Sequence, residues 1–322
     1  MVPAQMWLQV VVLIVSIAIV MWGASLLTQG AVGLAERMGI PQIVIGLTIV
    51  AMGTSMPEFF VSLVSAINDT PDLAVGNIVG SNIFNALAIV GCAAMVAPIS
   101  ILKGTVRKDI PFAMIASITL LLMCLDSHIS RVDAAIMFGL FVVYMYFTLR
   151  SGQEEQPDAE SVSEEKAVAP MKVVKGIVLV IVGLALLILG SSVFVDNASA
   201  IARSLGVSEA VIGLTIVACG TSLPELATSV VAALKGNSGI AIGNVLGSNV
   251  FNILMILGVT GLVSPMAMQG ITQVDLTVMI VAMILLWLFS FTRYRIERWE
   301  GAFLTLSFIG YLVWLLMPYM GA

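Results

Sequence analysis

A chain of 322 residues that is 60 % hydrophobic and only 10 % charged cannot cover its surface as a soluble domain does, with about 25 % charged residues. Its solvent is therefore the bilayer. The formal net charge of −5 gathers much of its acid in residues 154–165, and no basic region is present that would suggest nucleic acid as a partner.

Runs of about 20 apolar residues mark spanning helices. They fall near 6–29, 42–66, 73–97, 110–126, 132–149, 175–198, 207–233, 240–263, 274–291 and 301–319. Only helices or closed barrels satisfy the backbone in lipid, and runs this long are helical. The expectation is an all-α membrane protein with ten transmembrane helices. The first run lacks a basic flank and a clear cleavage site, and reads as a retained span.

Orientation follows from the basic residues. With ten spans and the N-terminus outside, all of the Lys and Arg residues but Arg131 and Arg203 fall in inside loops. That split favours a multi-pass membrane protein with both termini outside. Ser151 to Pro170 reads as a flexible, acidic cytoplasmic linker. The linker region, residues 151–172, divides a first half (1–150) from a second (173–322). Its acids lack the Asp/Asn–Gly spacing of a calcium loop. Cys92, Cys124 and Cys219 lie in apolar runs without metal or redox spacing, and His128 reads as an ordinary loop residue.

The chain repeats itself. Ile45-Gly-Leu-Thr-Ile-Val-Ala51 recurs as Ile212 to Ala218, Gly53-Thr-Ser-Met-Pro-Glu58 as Gly220-Thr-Ser-Leu-Pro-Glu225, and Gly80-Ser-Asn-Ile-Phe-Asn85 as Gly247-Ser-Asn-Val-Phe-Asn252. All share one offset, which Pro98 and Pro265 continue. The two repeat regions cover about 42–98 and 209–265. With five spans per half, the second half lies upside down relative to the first, the arrangement of alternating-access transporters.

Glu58 and Glu225 are the only acids deep within a predicted span, and no Lys or Arg lies in those spans to neutralise them. A carboxylate in the membrane is costly, so a cation or a proton must accompany each. On a helix Thr54 lies one turn before Glu58, with Ser55 adjacent, and Ser81 and Asn85 are four apart in the next span. Thr221, Ser222, Glu225, Ser248 and Asn252 repeat the set. Carboxylate, hydroxyl and amide oxygens without thiolate or imidazole suit hard cations such as calcium and sodium. Pro57 and Pro224 break the helix against Gly53 and Gly220, freeing carbonyls around Ala51 and Ala218. Asn77 and Asn82, with mates Asn244 and Asn249, read as interhelical or supporting groups. Asn77 is the better site candidate, and Ser62 and Thr48 read as packing residues.

At these motifs the sequence resembles the calcium/cation antiporter superfamily, and within it the prokaryotic sodium/calcium exchangers. The resemblance implies two inverted five-helix halves with four ion sites between spans 2, 3, 7 and 8. It implies as ligands Thr54, Ser55, Glu58, Ser81 and Asn85, then Thr221, Ser222, Glu225, Ser248 and Asn252, with carbonyls of Ala51 and Ala218 at the sodium sites. The transported ions would be Ca2+ and Na+, with no cofactor, no enzymatic activity, and a monomer sufficient for transport. Some relatives carry aspartate where Asn252 stands. Spans 1 and 6 would slide against the core, and sodium entry would drive calcium export. The alternative is a calcium/proton antiporter using the same two glutamates. A channel or a membrane sensor fits less well, and no phosphate-binding loop of an ATP-driven pump is present.

Overall fold

The computed structural model describes residues 4–154, 171–204, 216, 218–268 and 270–320. It is almost entirely helical. Helix α1 (Ala4–Met38) leads to α2 (Gln42–Ile45), a wide π-helical turn (Gly46–Val50), α3 (Ala51–Thr54) and α4 (Met56–Ile67). Helix α5 (Pro71–Ile83) runs through a second π turn (Phe84–Ile89) into α6 (Val90–Val96). Strand β1 (Ile99–Ser100), a π turn (Thr105–Asp109), α7 (Ile110–Met123), β2 (His128–Ile129) and α8 (Arg131–Glu154) complete the first half.

The second half repeats the order. It comprises α9 (Val173–Ser204), α10 (Ala218–Thr221), α11 (Leu223–Leu234), α12 (Ser238–Val250), a π turn (Phe251–Leu257) and α13 (Gly258–Val263). Strand β3 (Met266–Ala267), α14 (Gln273–Phe291), β4 (Arg295–Ile296) and α15 (Arg298–Met320) follow.

Among the described residues seven helices are long and apolar enough to cross a membrane, and the bent pair Gln42–Thr54 and Met56–Ile67 makes an eighth. The other two expected spans correspond to α7, which continues the π turn Thr105–Asp109 without a break and carries the charges of Arg107, Lys108 and Asp109 at its start, and to α11, whose preceding run lies largely outside the described residues. The first span is longer than its apolar run suggests, reaching Met38. The acidic linker also starts later than expected, because Ser151–Glu154 continue α8; the rest of it lies outside the described residues. His128 sits in a strand, its amide donating to Asp126 Oδ1.

Two spans form the buried centre. Pro71–Val96 is 83 % buried and Ser238–Val263 94 %, whereas the window of α15 is only 17 % buried and presents Trp299, Leu306 and Met317 outward. An apolar exterior around a polar-containing centre is what lipid as solvent selects.

Helices α1 and α9 lie against each other backbone to backbone. A Cβ on Gly23 would sit 2.9 Å from the Gly183 carbonyl, and one on Gly30 would sit 2.8 Å from that of Gly176. Lipid tails are as apolar as leucine side chains, so membrane helices associate through such close contacts of small residues.

Two short ribbons tie the halves together. Strand β1 pairs antiparallel with β4 (Ile99 with Ile296), and β2 with β3 (His128 with Ala267). Each ribbon takes one strand from each side of the linker, and β3 and β4 lie 167 residues after β1 and β2.

Helix starts are fixed by side chains. Thr272 and Asp275 form a reciprocal capping box at α14, and the free Asp275 oxygen accepts the Tyr311 hydroxyl of α15 at 2.8 Å. Ser130 and Asp133 do the same at α8. We expect Thr272→Ala to cost about 1 kcal/mol of stability, seen as a lower melting temperature of the detergent-solubilised protein. An unchanged melting temperature would mean that Asp275 holds this helix start without the threonine.

Candidate ion-binding site

The proline of each Pro-Glu pair lacks the amide hydrogen that would bond the carbonyl four residues back. The first helix breaks at Ser55 (φ −82°, ψ 9°), and the two pieces meet at 47°. The second breaks in the same way at Ser222 (φ −91°, ψ 11°). Each break leaves a glutamate, Glu58 or Glu225, in the first turn of the following half-helix, near the positive end of its dipole. Interrupted helices of this kind build the sites of many transporters.

The break falls between Thr54 and Glu58. The same-face stacking expected of a continuous helix is therefore replaced by contacts across the two halves. Ser55 Oγ donates to Glu225 Oε1 at 2.9 Å, and Ser222 Oγ donates to Glu58 Oε1 at 2.8 Å. Ser81 Oγ lies 3.2 Å from Ser222 Oγ. Because the single Ser222 proton goes to Glu58, Ser81 is the donor in that contact. Thr54 Oγ1 lies 3.0 Å from Asn244 Oδ1 and 3.3 Å from the Ala51 carbonyl. That carbonyl also accepts the Ser55 amide at 3.0 Å, so inside this structure it is not left bare by the break.

Glu58 and Glu225 are 0 % and 1 % exposed. Among the described residues neither has a cationic side chain beside it. In each carboxylate one oxygen takes the serine of the opposite half, and Oε2 has no hydrogen-bond partner among the described residues. Asn85 Oδ1, Asn252 Oδ1 and Ser248 Oγ are also buried without a hydrogen-bond partner among the described residues. Buried polar atoms are nearly always hydrogen-bonded, and each exception needs an explanation. Of ten such side-chain atoms among the described residues, five fall within the set of residues singled out by sequence; the others, such as Tyr144 OH and Glu300 Oε1, belong to residues outside it. The described residues contain no cluster of three or more His, Cys, Asp or Glu, so the donor set is two carboxylates plus neutral oxygens. It fits a hard cation.

The backbone beneath each glutamate is held alike. Asn77 Nδ2 donates to the Glu58 carbonyl (3.3 Å) and to Ser62 Oγ (3.0 Å); Asn244 Nδ2 donates to the Glu225 carbonyl (3.2 Å) and to Ser229 Oγ (3.0 Å). Asn77 therefore braces the glutamate turn, and Ser62 takes part with it. Thr221 lies in α10, as does Ala218, whose side chain is outside the described residues. The sequence reading missed the π turns that carry Asn85 and Asn252. Such wide turns frequently mark functional sites, but no residue pattern announces them.

These features define a polytopic membrane protein with a buried, oxygen-lined, doubly acidic centre between two similar halves. The family described as sodium/calcium exchanger protein matches residues 8–150 and again 175–317, and the chain belongs to that family. Among its relatives, the putative antiporter CaxA of Alkalimonas amylolytica is 37 % identical over 304 residues, 92 % of this chain and 95 % of CaxA. The sodium/calcium exchanger MaX1 of Methanosarcina acetivorans is 29 % identical, covering 94 % of this chain and 97 % of its own. The solved sodium-calcium exchanger NCX_Mj, soaked with zero Na+ and Ca2+, superposes with a TM-score of 0.82 at 30 % identity, over 96 % of this chain and 99 % of that one.

Proposed function

We propose that this protein exchanges sodium for calcium by alternating access, and that the ions bind between Glu58 and Glu225. The observation that carries the reading is the crosswise pairing of the two glutamates, each capped by the other half's serine and each keeping one oxygen without a hydrogen-bond partner among the described residues. Two buried carboxylates balance one calcium ion, whereas an empty site keeps two uncompensated charges that oppose conversion and leak. Thr54, Ser55, Ser81, Asn85, Thr221, Ser222, Ser248 and Asn252 supply neutral oxygens, joined by the carbonyls of Ala51 and Ala218 when sodium is bound. With asparagine at position 252 the site has two fixed negative charges.

The wider architecture in this proposal is ten spans in two inverted halves, with both termini outside the cytoplasmic membrane. Supporting it, the motifs, the ribbons and the two family matches all recur at the same spacing of 167 residues. The asymmetric distribution of Lys and Arg supports the orientation. Downhill sodium entry would then drive calcium export. The alternative, proton exchange through the same glutamates, shares the site and differs only in the counter-ion.

The test is uptake of calcium-45 into proteoliposomes loaded with sodium, against sodium-free vesicles and vesicles under an imposed pH gradient. Uptake that requires internal sodium is the expected result. Uptake driven by the pH gradient without sodium would transfer the assignment to proton exchange, and uptake indifferent to both would overturn antiport.

A further inference from the structure

Four asparagines form a bracket across the two halves. Asn85 Nδ2 donates to Asn249 Oδ1 at 3.0 Å, and Asn252 Nδ2 donates to Asn82 Oδ1 at 3.0 Å. The two contacts are repeat-related, each joining the last asparagine of one G-S-N-x-F-N motif to the first asparagine of the other. All four side chains are essentially buried, each no more than 1 % exposed.

An amide can present either its oxygen or its nitrogen, and the direction of these bonds decides which. Asn82 Nδ2 is committed to the Asn249 carbonyl at 3.2 Å, and Asn249 Nδ2 to Met283 Sδ at 3.3 Å. Turning Asn82 over would set its oxygen against the Asn249 carbonyl and its nitrogen against that of Asn252. Both contacts would then be repulsive. Asn82 can therefore offer Asn252 only an acceptor. Asn252 must answer with its nitrogen, and its oxygen is left over. In the other half the anchor is weaker, a thioether in place of a carbonyl: with its nitrogen on Met283 Sδ, Asn249 offers Asn85 an acceptor, and Asn85 answers with its nitrogen. Of the four amide oxygens in the bracket, those of Asn85 and Asn252 are the two without a partner among the described residues.

We propose that Asn82 and Asn249 are positioning residues for cation binding: they contact no ion and hold Asn252 and Asn85 oxygen-first. This rests on the reading of the site given above. A cation needs a ring of oxygens, and an amide presenting its N–H2 edge would repel it. The unpartnered oxygens are tolerated in a buried place because an ion completes them.

The experiment is a double-mutant cycle read by equilibrium calcium binding to the purified full-length protein, with calcium flux measured alongside. Asn82→Leu is expected to raise the calcium Kd and the flux KM about tenfold, the loss of one oriented ligand, with the maximal rate within about twofold. In an Asn252→Ala background the same change is expected to have no further effect. The pair Asn249→Leu and Asn85→Ala repeats the cycle in the other half, and Asn82→Ala serves if the leucine does not fold.

Equal losses in the Asn252→Ala background would reduce Asn82 to general packing, and an unchanged Kd in folded Asn82→Leu protein would overturn the proposal outright. Absence of sodium-dependent flux in the unaltered protein would instead strike the exchanger reading. The Kd cycle would still decide the role of the bracket.

Discussion

Glutamine at either Glu58 or Glu225 is expected to cut sodium-driven calcium flux by about 100-fold or more while leaving the protein folded. Glutamine keeps the length of the side chain, and its amide oxygen can still accept the serine from the opposite half, Ser222 for Glu58 and Ser55 for Glu225. What disappears is one of two negative charges at a place with no cationic side chain beside it among the described residues. A hydrogen-bonded or ion-paired charge contributes roughly 1.5–3 kcal/mol, and 2.7 kcal/mol is about 100-fold in affinity. The same change relieves the desolvation of a carboxylate that is 0–1 % exposed, so the ion-free variants are expected to melt no lower than the parent protein, and preferably higher. Activity and stability thus move in opposite directions, which separates a ligand from a structural residue. Calcium-45 flux and melting temperature in the absence of calcium and sodium would be measured together. Variants that keep more than about a tenth of the flux would remove the glutamates from the centre of the mechanism.

Much of this site is legible in the sequence because lipid makes polar residues conspicuous. A glutamate in an apolar run has few innocent explanations, and a second one at the same place in a repeat has fewer. The prolines at 57 and 224 announce the breaks for an equally local reason, the missing amide hydrogen. Less legible is anything that depends on how one half meets the other. Placing Thr54 one turn before Glu58 is correct for a continuous helix, and the break at Ser55 undoes it; the partner of Ser55 is Glu225, 170 residues away. The asparagine bracket is hidden in the same way, since Asn82 and Asn249 look like interhelical packing until their amide directions are traced. The π turns at Phe84–Ile89 and Phe251–Leu257 have no composition of their own, because the extra residue per turn is set by packing and not by propensity. The long first helix is likewise more than its apolar run: it continues to Met38, past a close approach to α9 at Gly30 and Gly176.

Valine at Gly247 is expected to abolish folding or transport, and alanine there to cost about 1–3 kcal/mol, the usual range for forcing atoms into a packed interior. One face of α12 is a row of glycines four apart, Gly239, Gly243 and Gly247, laid against the segment from Gln42 to Ala51. A Cβ at Gly247 would lie 2.6 Å from the Leu47 carbonyl oxygen and 2.7 Å from the Ala51 Cβ. One at Gly243 would lie 2.7 Å from the Ile43 carbonyl oxygen. Much of what it meets is backbone, which cannot swing aside as the end of a side chain can. The same closeness lets Thr54 reach Asn244 and brings the following Ser55 to Glu225, so a displaced α12 would pull the two halves of the site apart. Valine adds two methyl groups to that collision. Gly310 in α15 is the control, since a Cβ there meets no atom within 4 Å among the described residues. Alanine at that position should leave the melting temperature unchanged or raise it by the equivalent of up to about 1 kcal/mol, the difference in helix propensity. Melting temperature and calcium flux of Gly247→Ala, Gly247→Val and Gly310→Ala decide the matter. If Gly247→Ala matched the parent protein in both, the separation of α12 from residues 42–51 would not be what sets the geometry at Ser55, and the crosswise serine–glutamate pairing would have to be held by the bends at Pro57 and Pro224 alone.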